Sequence, residues 1–228
     1  MDLKAIAQGT LAALDRGAYI GPDTQEVAIA SLVEACIKGT RFFEPDMLNA
    51  IRDTVLAQAQ RFASMSIQLV NETTLQCTRR LSQTEEYGRI CALNFASARN
   101  PGGGFLGGAR AQEESLARSS GLYPSLTHCF EEFYAFHRNE RSALYSDRMI
   151  YSYQCPIFRD DAGHWLAQPY TIDVITSAAP NAGAIMQNEP SQSKYIIPVF
   201  AERARKVLAL ASHVQCDTLV LGLSLIHI

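Results

Sequence analysis

Residues 94–119 read NFASARNPGGGFLGGARAQEESLARS. The first of them close an apolar run, RICALNFAS, that starts at Arg89 and has the composition of a strand. Five glycines then fall within the seven positions 102–108. From Gln112 to Ser119 the spacing is helical. Strand, glycine loop and helix make a βα unit, and in sheets built from such units ligands sit at the carboxyl ends of strands. Consecutive glycines permit positive φ and let backbone N–H groups converge on an anion, which suits a diphosphate where positive charge is scarce. The N-terminal dipole of the following helix adds to that attraction. For the glycines alone, the plainer reading is a flexible loop.

Outward from this unit the alternation continues. SIQLV (66–70), MIYSYQCPIF (149–158), TIDVITSAA (171–179) and DTLVLG (217–222) are further strand candidates. Helices are expected from an Asn71 cap through Leu81, over about 124–137 and over about 198–213. The fold class is therefore α/β, with a largely parallel or mixed sheet flanked by helices. The first third reads differently, as three helices. One spans Leu3 to Arg16 and stops at Gly17, one spans 24–38 and stops at Gly39, and one opens at Glu44-Pro45-Asp46 and runs to about Phe62. This divides the chain into an N-terminal helical extension, residues 1–64, and a main domain, residues 65–228.

A chain of 228 residues with 47% hydrophobic content is long enough to bury a sizeable core. A net charge of -3 and an isoelectric point near 6.0 provide no broad basic field, so nucleic acid is not an expected partner. The N-terminus mixes Asp2, Lys4, Asp15 and Arg16 with short apolar stretches, which is neither a signal peptide nor a membrane span. Six cysteines without a C-x-x-C pair fit free thiols in a reducing cytoplasm, the expected location.

The loop is not a Walker phosphate loop, because Gly102 to Gly107 has the right spacing but is followed by Gly108-Ala109 instead of Lys and Ser or Thr. It is also a poor dinucleotide fingerprint, since the helix begins several residues too late. Glu113 and Glu114 fall in the first turn of the helix, where simple support of the macrodipole would explain them. Beside a diphosphate loop, a carboxyl is also what cleavage of a ribosyl bond requires, because it protonates the leaving oxygen while charge develops on the sugar. Adjacent helix residues point about 100° apart, following from 3.6 residues per turn, so the two acids are expected to have different jobs. Arg118, four residues after Glu114, is placed to pair with it and oppose a general-acid role.

Other candidates are weaker. The five histidines show no paired metal-binding spacing, and no metal or cofactor is expected. His128-Cys129 are neighbours on a helix and point different ways, so they do not make a nucleophile and its base. Phe130, Phe133 and Tyr134 around Glu131 and Glu132 read as a core face, as do Tyr151 and Tyr153 on one strand.

Taken together, NFASARNPGGGFLGGARAQEESLARSSGLY resembles the signature of microbial-type poly(ADP-ribose) glycohydrolases: three glycines, a short spacer, then Gln-Glu-Glu. Weaker similarity runs through NETTLQCTRRL upstream and through ITSAAPNAG and AERARKVLAL downstream. The resemblance implies a macrodomain-like fold with an N-terminal helical extension. It implies hydrolysis of ribose–ribose O-glycosidic bonds in poly(ADP-ribose), free or on modified proteins, releasing ADP-ribose without a metal or cofactor. Glu114 would be the general acid and base, and Glu113 would orient ribose hydroxyls. Gly102, Gly103 and Gly104 would contact the diphosphate, Gln112 would fix the loop, Ser97 and Asn100 would flank the ribose and phosphate, and Phe105 would shape the pocket. In that family the strand matching DTLVLG leads into a second glycine-rich phosphate loop, whereas here Gly222 is followed by LSLIHI, the pattern expected of a C-terminally truncated chain. The competing expectations are a non-catalytic ADP-ribose-binding macrodomain and a mono-ADP-ribosyl hydrolase.

Overall fold

In the computed structural model, which describes residues 1–58 and 65–222, α1 (Leu3–Arg16) has the two ends its sequence calls for. The Asp2 carboxylate accepts the Lys4 and Ala5 N–H groups, and Gly17 terminates the helix at φ 75°. The next segment departs from expectation. Residues 26–28 are not helical but form β2 (Glu26–Ala28), antiparallel to β1 (Ala18–Ile20), and α2 (Ala30–Gly39) starts only afterwards. Packing explains the difference. Tyr19 of this hairpin stacks on Trp165 at 4.6 Å and donates to the Leu166 carbonyl, contacts that local periodicity cannot foresee.

β3 (Arg41–Phe43) was not evident from the sequence; α3 (Pro45–Ala57) follows it with proline in the first turn, and the end expected near Phe62 lies outside the described residues. Ser66 to Val70 forms no strand, and Ile67 and Leu69 are exposed. The cap of α4 (Thr74–Leu81) is Thr73 in place of Asn71, because Thr73 and Gln76 form a reciprocal capping box. β4 (Ile90–Phe95) and α5 (Gln112–Ser119) flank the glycine loop. The single helix expected over 124–137 is broken into α6 (Leu122–His128), a π-helical turn (Phe130–Ala135) and α7 (Phe136–Asn139). β5 (Met149–Arg159), β6 (Trp165–Ser177), α8 (Ala182–Asn188), α9 (Ile196–His213) and β7 (Thr218–Val220) complete the described chain.

Five strands form one sheet in the order β3-β5-β6-β4-β7. β4 is parallel to both β6 and β7, while β5 is antiparallel to β3 and β6, so the sheet is mixed as expected. Period-two alternation assigns its faces. Ala92, Ile150, Ile172 and Val174 pack against Leu75, Leu116, Leu122, Leu126, Phe133 and Tyr134. Cys91, Met149, Tyr151 and Ile175 pack against Leu48, Val207 and Leu210. Each Ile, Val, Leu, Met or Phe side chain among them contributes about 1.5–3 kcal/mol when fully buried. The first 58 residues are knitted into this arrangement, since β3 is a sheet strand and Phe43 and Leu48 share a core with α9. β4 lies between two parallel neighbours, so its carboxyl end opens the glycine loop beside the end of β6, where Phe95 faces Ser177.

Candidate active site

Glu113 and Glu114 are buried, at 3% and 9% exposure, although both stand in the first turn of α5. Carboxylates serving only the helix dipole would stay in solvent, since burial of a charge is costly unless it is paired. Each instead has its own donors. Glu113 Oε2 accepts the Ser97 N–H at 2.7 Å and Oε1 accepts Asn94 Nδ2 at 3.3 Å. Burial nevertheless pushes the Glu113 carboxyl up from 4.5 to about 8; these donors and the Gly102 N–H oppose the rise, and the neighbouring Glu114 adds to it. Glu114 Oε1 accepts the Gly104 N–H at 2.9 Å, while its buried Oε2 has no protein partner.

The glycine loop is a series of tight turns. Gly102 and Gly103 have φ of 68° and 60°, and the Gly103 N–H closes a turn on the Asn100 carbonyl at 2.9 Å. A Cβ on Gly103 would overlap Glu114 Oε1 and would come within 3.2 Å of Glu113 Oε2, so both acids converge on this one glycine. The Gly104 N–H donates to the Glu114 carboxyl, so the loop backbone holds one of the two acids.

The other expected residues build the frame. Gln112 extends β4 sideways, accepting the Phe95 N–H at 2.9 Å and donating to the Leu93 carbonyl at 2.7 Å. The Ser97 hydroxyl accepts the Asn100 N–H at 3.1 Å, and Asn100 Oδ1 accepts from Arg138 at 3.3 Å. Phe105 is fully buried beneath the loop against Ala7, Ala117 and Tyr123. Arg118 does not pair with Glu114; its guanidinium donates to the Ala109 carbonyl at 2.6 Å and steadies the loop's descent into α5.

Three residues escaped the sequence reading. Asn94 bridges Glu113 and Thr176, donating to the Thr176 hydroxyl at 3.2 Å. Both are polar residues inside apolar strand runs, a signal that was available. Tyr134 is buried near Glu113, and nothing in its local sequence distinguishes it from a core aromatic. Among the described residues no group of three His, Cys, Asp or Glu side chains is placed to hold a metal ion.

A mixed sheet whose central parallel strand delivers a glycine loop onto two buried, differently held carboxylates defines a macrodomain-like glycosidase. The microbial-type PARG catalytic domain family matches residues 7–160, and the chain belongs to that family, the microbial-type poly(ADP-ribose) glycohydrolases. The crystal structure of poly(ADP-ribose) glycohydrolase from Thermomonospora curvata superimposes with a TM-score of 0.90 at 46% identity, over 96% of this chain and 78% of that one. The same enzyme bound to the inhibitor ADP-HPD gives 0.87 at 44% identity, with the same coverage. The Deinococcus radiodurans enzyme in complex with ADP-ribose gives 0.79 at 47% identity, over 86% of this chain and 77% of that one. Among curated proteins no relative matches. The resemblance and the fold class inferred from the sequence are thereby borne out.

Proposed function

We propose that this chain hydrolyses the ribose–ribose O-glycosidic bonds of poly(ADP-ribose) with Glu114 as general acid and then general base. The observation that carries the assignment is the asymmetry of the Glu114 carboxyl: one oxygen is fixed by the Gly104 N–H and the other is buried with no protein partner. That free oxygen protonates the leaving ribose oxygen as the C–O bond breaks and positive charge develops on the anomeric carbon. It then takes a proton from the water that bonds to this carbon, which restores the acid and releases ADP-ribose. Glu113, held at both oxygens, orients the ribose hydroxyls. Gly102, Gly103 and Gly104 allow the diphosphate to approach the backbone, Ser97 and Asn100 flank it, and Gln112 and Phe105 hold the loop from behind and beneath. The six free cysteines fit a reducing cytoplasm. Among the described residues no helix is long and apolar enough to cross a membrane.

A second assignment, with Glu113 as the acid, is favoured by its raised ionisation, which is often a mark of a proton donor. It is disfavoured by the engagement of both Glu113 oxygens with N–H donors. Labelled poly(ADP-ribose) incubated with the parent, Glu114→Ala and Glu113→Gln, beside calorimetric titration with ADP-ribose, separates the readings. The proposed roles require turnover by the parent, loss of turnover with retained ADP-ribose binding in Glu114→Ala, and weakened binding in Glu113→Gln. Binding without turnover by the parent would instead indicate a non-catalytic ADP-ribose-binding macrodomain, and release only from singly modified proteins would indicate a mono-ADP-ribosyl hydrolase.

A further inference from the structure

The proposed reaction breaks one ribose–ribose bond, but the polymer continues beyond it. Across that bond stands an adenosine whose 5′ carbon carries the next diphosphate, so a polymeric substrate brings further phosphate charge to the rim of the site. The rim carries cations. The chain leaves β4 through Ser97-Ala98-Arg99-Asn100, and Arg99 and Asn100 are exposed whereas Gly102 is buried. The Ser97 hydroxyl accepts the N–H of Arg99 at 3.3 Å and that of Asn100 at 3.1 Å, a local turn that fixes the backbone there. On the inner side of the same turn the Ser97 N–H donates to Glu113 at 2.7 Å.

Arg138, exposed on α7, reaches this turn from another part of the chain. Its Nε donates to the Arg99 carbonyl at 2.8 Å, and its Nη2 donates to Asn100 Oδ1 at 3.3 Å. Phe130, in the π-helical turn just before α7, lies against the guanidinium with its ring centroid 4.9 Å from Cζ. These contacts fix the group and leave its Nη1 uncommitted. None of them cancels its charge, because a carbonyl, an amide and a ring are all neutral. The Arg99 guanidinium has no protein partner, and among the described residues neither arginine is in an ion pair. Arg16, Arg52, Arg80 and Arg203, by contrast, each meet a carboxylate. Two like charges brought to one turn repel, and the repulsion turns to attraction when an anion joins them. Guanidinium donors match phosphate oxygens in geometry as well as in charge.

We infer that Arg99 and Arg138 form a subsite for the diphosphate of the ADP-ribose unit next to the one being released, a contact that poly(ADP-ribose) makes and free ADP-ribose does not. The exposed position of both residues, outside the buried acids, assigns them to the neighbouring unit. The inference rests on poly(ADP-ribose) being the substrate, as proposed above.

The test compares two ligands on the full chain carrying Glu114→Ala, which leaves the polymer uncut. Calorimetric titration with ADP-ribose and with a purified poly(ADP-ribose) oligomer, each at several salt concentrations, should show the oligomer binding more tightly and with the steeper salt dependence. Adding Arg99→Gln, at a side chain that touches no other protein group, should weaken oligomer binding about threefold to tenfold and flatten its salt dependence, with ADP-ribose binding unchanged. Arg99→Lys, which keeps the charge, should recover part of the loss. Arg138→Gln also releases Asn100, so it is judged by the ratio of the two affinities, which should fall. Equal losses for both ligands would put the arginines on the unit already bound, and no loss for either would leave them without a ligand; each result overturns the subsite. Oligomer binding no tighter than ADP-ribose binding overturns it too. If Glu114→Ala does not fold, KM for the oligomer in the parent and in Arg99→Gln gives the same comparison, and an unchanged KM overturns the subsite. Binding and turnover are read separately: an inactive parent whose oligomer affinity depends on Arg99 would sink the proposed catalysis and leave the subsite standing.

Discussion

Among the described glycines, Gly103 is the one over which both carboxyls close: a Cβ there would overlap Glu114 Oε1 and press on Glu113 Oε2. The glycine loop therefore sets the position of the two acids. Gly103→Ala meets two obstacles, a φ of 60° and the Glu114 carboxyl. Folding should weaken by about 1–3 kcal/mol, and poly(ADP-ribose) turnover should fall by about 100-fold or more as the acid is displaced. Urea denaturation and steady-state kinetics measure the two effects. A variant with parental turnover would refute the close approach.

Gln112→Glu tests the stitch between α5 and β4. The substitution keeps the acceptor for the Phe95 N–H but replaces the Nε2 donor with an oxygen facing the Leu93 carbonyl. Stability should drop by about 1–3 kcal/mol, the cost of an unsatisfied buried acceptor. Gln112→Ala, which removes these two bonds and the one from Nε2 to the Thr74 hydroxyl, provides the comparison. Parental melting temperature for both variants would show the stitch to be dispensable.

Glu113 also gives folding a pH dependence. Its carboxyl is raised from 4.5 to about 8 by burial, so between those values the folded chain holds a proton that the unfolded chain lacks. Stability from this group is complete below 4.5 and is lost as pH rises through 8. His137 acts oppositely, since burial lowers it from 6.5 to about 4; its contribution is complete above 6.5 and is lost as pH falls through 4. From pH 6.5 to 8 the loss from Glu113 is thus no longer offset by His137. The melting temperature of the parent should fall across that window, and that of Glu113→Gln should fall less. Parallel curves would show that Glu113 is not raised.

Away from the site, Asp147 holds two buried cations. It accepts from Arg203 at 2.9 Å and from Lys206 at 2.5 Å, and both cations are almost fully enclosed. Arg203 also donates to the Ala178 and Leu144 carbonyls, but Asp147 is the sole acceptor identified for Lys206 among the described residues. Asp147→Ala should therefore destabilise by about 3–5 kcal/mol, the cost of an uncompensated buried charge. Adding Lys206→Met should recover part of that loss. Calorimetric melting of the single and double variants decides it, and a double variant no better than the single would locate the cost elsewhere.

The sequence by itself determined the parts whose causes are local. Gly17 ends α1 because glycine accepts the left-handed conformation, and α5 spans the expected Gln112–Ser119. The alternating apolar runs marked out β4, β5 and β6, and the order of glycines and acids in 102–114 marked the loop after β4 as the candidate site. Tertiary structure decided whatever depends on partners distant in the chain. The β1–β2 hairpin overrode a helical pattern through Tyr19 and Trp165, residues 146 positions apart by number (165 − 19). The segment 66–70 had a strand's alternation but found no partner among the described residues, and strands form only by pairing. Arg118 stood four residues from Glu114 as a helical pair should, yet it turned to the Ala109 carbonyl. Sequence could say that Glu113 and Glu114 differ; their burial, the Gly104 clamp and the Asn94–Thr176 support came only with the fold. Hydrogen-bond partners and desolvation are properties of the space around a side chain, and that space is assembled from the whole chain.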